Sequence, residues 1–61
     1  MLAIERQEQI VSQIRRNGAV RIHELTKQFG VSVETIRRDL LELERQDCLH
    51  RVHGGAVGIA V

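Results

Sequence analysis

The stretch from Val31 to Leu40, VSVETIRRDL, restricts what this chain can fold into more than any other. It reads as the start of a helix. Ser32 is a favoured N-cap, because its hydroxyl can accept from first-turn backbone N–H groups that have no partner within the helix. Val31 before the cap and Ile36 beyond it stand at the spacing of a hydrophobic staple. Glu34 places a carboxylate at the positive end of the helix dipole. Val33, Ile36, Leu40 and Leu43 then recur at three- and four-residue intervals as one apolar stripe. At about 100° per residue, Arg38 projects nearly opposite that stripe, with Glu34, Thr35, Glu42 and Arg45 around it and Arg37 and Leu41 on one flank. One side of this helix must be buried. The other offers two arginines and a threonine close to its N-terminal end.

The flanking sequence supplies the rest of a fold. Ile4 to Arg16 reads as a first helix, with Ile4, Gln7, Ile10, Val11 and Ile14 on one face and Glu5, Arg6, Glu8, Arg15 and Arg16 off it. Asn17-Gly18 stops it, since both residues tolerate the left-handed conformation. Ala19-Val20-Arg21 is a very short extended piece. A second helix spans Ile22 to Phe29, with Ile22, Leu25 and Phe29 inward and a poorly capped start at Arg21. Gly30-Val31-Ser32 is the tight, glycine-led connection of a helix-turn-helix. The third helix covers residues 33–46, and Asp47 ends it. After Cys48 the period changes: Leu49, Arg51 and His53 alternate with His50 and Val52, and Gly54-Gly55 turns the chain into Ala56-Val57-Gly58-Ile59. That is a β-hairpin over residues 50–58. The expected fold is therefore mainly α with a small β-hairpin, a winged helix-turn-helix of three helices plus a C-terminal wing.

Size and composition bound the function. A chain of 61 residues makes one small domain, 1–61, that buries only about 60% of its unfolded surface and has no room for a deep active site. The net charge is +1, so a nucleic-acid partner requires the basic residues to be clustered. A single cysteine, Cys48, excludes an internal disulfide framework and fits a reducing compartment. MLAIERQEQI has no secretory h-region and no stretch is apolar enough to span a membrane, so a cytoplasmic domain without a membrane partner is expected. The apolar tail GGAVGIAV suggests the N-terminal piece of a longer protein. A short standalone protein whose tail packs as a last strand is the alternative.

Each candidate residue carries a bland reading beside a functional one. Arg37-Arg38 can be a solvated face, with Glu34–Arg38 and Arg38–Glu42 pairing at i,i+4. Their position favours contact instead, because the first turns of a helix in this setting meet bases and phosphates. Arg takes guanine O6 and N7 bidentately, and Thr35 can reach a base edge or a phosphate. In the wing, Gly54 and Gly55 serve a tight turn, and a glycine tip flanked by Arg51 and His53 can also approach a phosphate backbone or minor groove. Cys48, His50 and His53 lack the paired spacing of a zinc site, so no metal is expected. Asp39, Glu42 and Glu44 are read as helix-surface acids without a pocket or nucleophile, so neither an enzyme nor a cofactor is expected. Phe29 is the one aromatic and faces the core, which favours duplex DNA over stacked single strands.

These residues resemble the N-terminal winged-helix domain of the DeoR family of bacterial transcriptional regulators. The resemblance runs from ERQEQIV through HELTKQFGVSVETIRRDL and LELERQDCLHRVHGGAV. TIRRDL at Thr35–Leu40 and RVHGGAV at Arg51–Val57 carry it most specifically. It implies a regulator, usually a repressor, of sugar or carbon-source genes that binds an operator in double-stranded DNA. It also implies a C-terminal domain outside this chain that binds a phosphorylated sugar or similar effector and forms a homo-oligomer. Carried over by position, Ser32, Thr35, Arg37 and Arg38 contact DNA, and Gly54-Gly55 is the wing tip. Asp47 departs from the family's usual Gly and puts the angle of the wing in question. The alternative function is a winged helix that pairs Arg37 and Arg38 with an acidic protein partner.

Overall fold

Three helices and three short strands succeed one another in the order α1 (Ala3–Asn17), β1 (Ala19–Arg21), α2 (Ile22–Phe29), α3 (Val33–Arg45), β2 (His50–Val52) and β3 (Gly55–Val57) in a computed structural model that describes residues 1–59. This is a winged helix-turn-helix, and each boundary has a local cause. Gly18 ends α1 at φ +85°, its N–H donating to the Ile14 carbonyl at 2.7 Å. Gly30 ends α2 in the same left-handed region, at φ +65°. At the start of α1, Leu2 offers no side-chain acceptor, and Glu5 Oε1 instead accepts from the Leu2 N–H at 2.8 Å.

The end of α3 answers the question posed by Asp47. Arg45 is the last helical residue and Gln46 the cap, one residue short of the expected end. Asp47 takes φ +60°, a conformation glycine adopts more cheaply. Its N–H donates to the Glu44 carbonyl at 3.0 Å and that of Cys48 to the Leu43 carbonyl at 2.9 Å. This is the bonding pattern of a Schellman motif, which satisfies carbonyls the helix leaves open. The chain turns toward the wing as a glycine would have it turn.

The wing is more than a hairpin. The strands form one antiparallel sheet in the order β1-β3-β2, with Val20 opposite Ala56 and Arg51 opposite the same Ala56 on the other side. Val52 pairs with Gly55, so the turn consists of His53 and Gly54. The expected Gly54-Gly55 tip is thereby corrected. Only Gly54 has positive φ, +78°, and Gly55 lies within β3, buried. The sheet also explains the weakly capped start of α2. The Ile22 N–H donates to the Gly54 carbonyl at 2.9 Å, so the wing supplies the acceptor that Arg21 lacks.

Ile10 and Ile14 of α1, Val20, Leu25, Ile36, Leu40 and Leu43 of the helical stripe, Leu49 and Ala56 form the buried core. Val11, Ile22, Phe29, Val31 and Cys48 pack against it, so the staple residues Val31 and Ile36 both reach the core. Ile4, expected on the buried face, is 66% exposed and lines an open groove with Gln7, Leu43 and Cys48. Truncating Ile36 or Leu40 to Ala in so small a core costs about 2–5 kcal/mol, comparable with the whole stability of such a domain.

Candidate nucleic-acid interface

Ser32 begins the site. Its Oγ accepts from the Thr35 backbone N–H at 3.2 Å and lies 3.1 Å from Thr35 Oγ1, so cap and threonine hydroxyls form one small cluster at the start of α3. Arg37 and Arg38 follow on the open side of the helix, both exposed. They diverge. Arg37 lines a cleft between α3 and the wing with His23, Arg51, Val52 and His53. Arg38 lines a shallow groove on the other side, shared with Thr35 and with α1 residues Ala3 and Arg6.

Neither arginine forms an ion pair among the described residues. The Glu34–Arg38 and Arg38–Glu42 pairs of the solvated-face alternative are absent there, and Glu42 instead meets Arg45 at 3.7 Å and Gln46 Nε2 at 3.3 Å. Both guanidinium groups keep their donors available for an incoming ligand.

Arg51 is placed differently. Its backbone N–H donates to Glu44 Oε2 at 2.9 Å and its Nε to Glu44 Oε1 at 2.9 Å. Glu44, read from sequence as a plain surface acid, therefore straps the wing to α3. The backbone bond first, and the guanidinium bond after it, hold the Glu44 carboxyl below its ordinary value. Arg51 remains about half exposed, with its terminal nitrogens beyond this strap. His53 and Gly54 are exposed at the tip, whereas a methyl added at Gly55 would collide with the Val20 carbonyl oxygen. Gly55 is a glycine because β1 lies against it.

The sequence reading missed the inner side of this site. Asp39, taken as a surface acid, is only 3% exposed. Arg6, placed off the core face of α1, reaches it with a two-pronged ion pair. Nε bonds Oδ2, Nη2 bonds Oδ1 at 3.0 Å, and Gln7 Nε2 adds a bond to Oδ1 at 3.1 Å. The bond to Asp39 raises the Arg6 pKa, with burial opposing it. Helical phase places Asp39 beside the buried Ile36 and Leu43, but its partners lie far away on α1, where no local pattern names them.

His23, His50 and His53 are exposed, and the described residues assemble no group of three or more metal-ligating side chains. No described helix is long and apolar enough to cross a membrane.

A DeoR-like helix-turn-helix domain matches residues 6–60. The chain is 49% identical over 59 residues to the HTH-type transcriptional regulator YulB of Bacillus subtilis (strain 168). It is 45% identical over 53 residues to a putative aga operon transcriptional repressor of Escherichia coli O157:H7. It is 46% identical over 52 residues to an L-fucose operon activator of Haemophilus influenzae (strain ATCC 51907 / DSM 11121 / KW20 / Rd). These matches cover 97%, 87% and 85% of this chain but only 23%, 20% and 21% of the relatives' lengths. No solved structure matches the chain significantly.

Proposed function

The chain belongs to the DeoR-like helix-turn-helix family, and on that premise we propose that it binds an operator in double-stranded DNA as the reading domain of a transcriptional regulator. In this reading α3 enters the major groove. Arg38 and Thr35 address base edges, while Ser32 and Arg37 hold the backbone. The wing tip, His53 and Gly54, lies on the backbone or minor groove, and Arg51 offers a phosphate the terminal nitrogens that Glu44 leaves available. Gly55 contributes indirectly, by letting the wing pack.

The observation that carries the proposal is the open face of α3. Its two exposed arginines are unpaired among the described residues, while Asp39, Glu42 and Glu44 are engaged by Arg6, Arg45 and Arg51. Of the α3 acids, Asp39 and Glu44 are thus turned toward other elements and Glu42 toward Arg45 on the same helix. The near-neutral net charge of +1 favours the second reading, a protein adaptor that pairs Arg37 and Arg38 with an acidic surface.

The relatives' names place one on an aga operon and one on an L-fucose operon, the latter as an activator. The proposed targets are accordingly carbohydrate genes, repressed or activated according to where the operator lies. The proposed whole protein is a homo-oligomer, assembled through a domain beyond this segment that binds a phosphorylated sugar or a similar effector.

A salt titration of binding to random duplex DNA separates the two readings. A DNA reader releases about 0.9 counterion per phosphate neutralised, so its affinity falls log-linearly with salt. Absence of duplex binding at low salt, with binding to an acidic protein surface instead, would favour the adaptor.

A further inference from the structure

Asp39 is the one buried polar residue among those described, and it lies at the foot of the proposed reading surface. Thr35 precedes it by one helical turn and Arg38 adjoins it in sequence. Both line the same shallow groove as Arg6, Gln7 and Glu42. We infer that the Arg6–Asp39 pair, seconded by Gln7, is a positioning element for DNA reading: it fixes the rotation of α3 against α1, and with it the direction in which Thr35 and Arg38 face the duplex. The inference rests on the DNA reading above and assigns α1 a share in sequence discrimination.

Ile36, Leu40 and Leu43 share one core with Ile10 and Ile14, and the hydrophobic effect that gathers them is non-directional. A guanidinium fork on a carboxylate is directional, because two parallel bonds fix both the distance and the plane of the groups. Here both oxygens of Asp39 are engaged by Arg6, and Oδ1 also accepts from Gln7. The pair is nearly dry, its side chains 11% and 4% exposed. A buried pair of this kind adds little net stability over apolar residues of the same volume, so stability alone does not account for it.

The test compares the unaltered chain with Arg6→Met/Asp39→Leu and Arg6→Lys. Each is melted, and each is incubated with a random-sequence duplex library whose bound fraction is sequenced. The double variant removes both charges together, so its fold is expected to survive. Its affinity for random duplex should stay within about twofold, while preference for the sequence enriched by the unaltered chain falls roughly tenfold, or about 1.4 kcal/mol. Arg6→Lys keeps the charge without the fork, and its preference should fall about threefold, since a point charge cannot replace bidentate geometry. A double variant that melts normally and keeps the same preference overturns the inference. Should the double variant fail to fold, a folded Arg6→Lys with undiminished preference overturns it equally. An unaltered chain that binds duplex but enriches no sequence overturns the DNA-reading proposal, and the inference with it.

Discussion

Gly54 and Gly55 adjoin in the chain yet are required for different reasons. Gly54 sits at φ +78° with open space where a Cβ would be, so Gly54→Ala costs only backbone strain, about 1–2 kcal/mol. Gly55 has ordinary φ, but a side chain there meets the Val20 carbonyl and the Arg21 backbone. Since backbone rather than a flexible side chain must move, Gly55→Ala should cost more than Gly54→Ala, about 3 kcal/mol, by separating β1 from β3. Thermal melts of the two variants check this order, and a milder effect at Gly55 would place the turn elsewhere. Ser32, Gly30 and Asp47 were legible from sequence because caps and left-handed positions are decided within a few residues. Gly55 and Asp39 were not, because what each requires is a neighbour brought in from β1 or α1. A glycine pair gives no sign of which member is pressed by another strand.

The three helices follow from the period of their own apolar residues, and their observed ends lie within a residue of those read from the sequence. The sheet is less local. β1 is an isolated triplet whose partner, β3, lies at the far end of the chain, so only the hairpin half of the sheet could be foreseen. The same holds for the position of the wing, which is set from both ends, by Gly54 on the start of α2 and by Glu44 on Arg51. Glu44 gives that arrangement a pH dependence. Its carboxyl is held below its ordinary value in the folded chain, so the strap's contribution is complete above the ordinary glutamate pKa and is lost as the pH falls through the lowered one. Nuclear magnetic resonance of the Glu44 carboxyl and the Arg51 amide should show both moving together, with a midpoint below that of an unperturbed glutamate. In Arg51→Ala the backbone bond remains, so the midpoint should rise only part of the way. A midpoint in the unaltered chain at or above the ordinary value would mean that the wing is not strapped by this bond.

The whole domain measures 31 × 21 × 19 Å, shorter than the roughly 34 Å between half-sites one duplex turn apart. One such module can read one half-site. With a net charge of +1 it has little long-range attraction, and non-specific affinities of single modules lie near 10⁻⁴–10⁻⁶ M at physiological salt. Residues Met1–Val61 alone should therefore bind their preferred duplex weakly, favouring it over random sequence by a factor on the order of tens rather than the roughly thousandfold or more of full specific binding. Fusion to an unrelated dimerising coiled coil, through a linker that spans two half-sites, should raise affinity for a paired site by about 10²–10⁴. Nanomolar binding by the unfused chain at physiological salt would remove the need for oligomerisation. The central claim, that the open face of α3 reads DNA, is tested most directly by measuring Arg38→Ala and Arg15→Ala on the duplex the unaltered chain enriches. Both arginines are exposed and carry the same charge, one on α3 and one on α1. Arg38→Ala should lose about 1–3 kcal/mol of binding without unfolding the domain, and Arg15→Ala much less. Equal affinities for the two variants would contradict the claim.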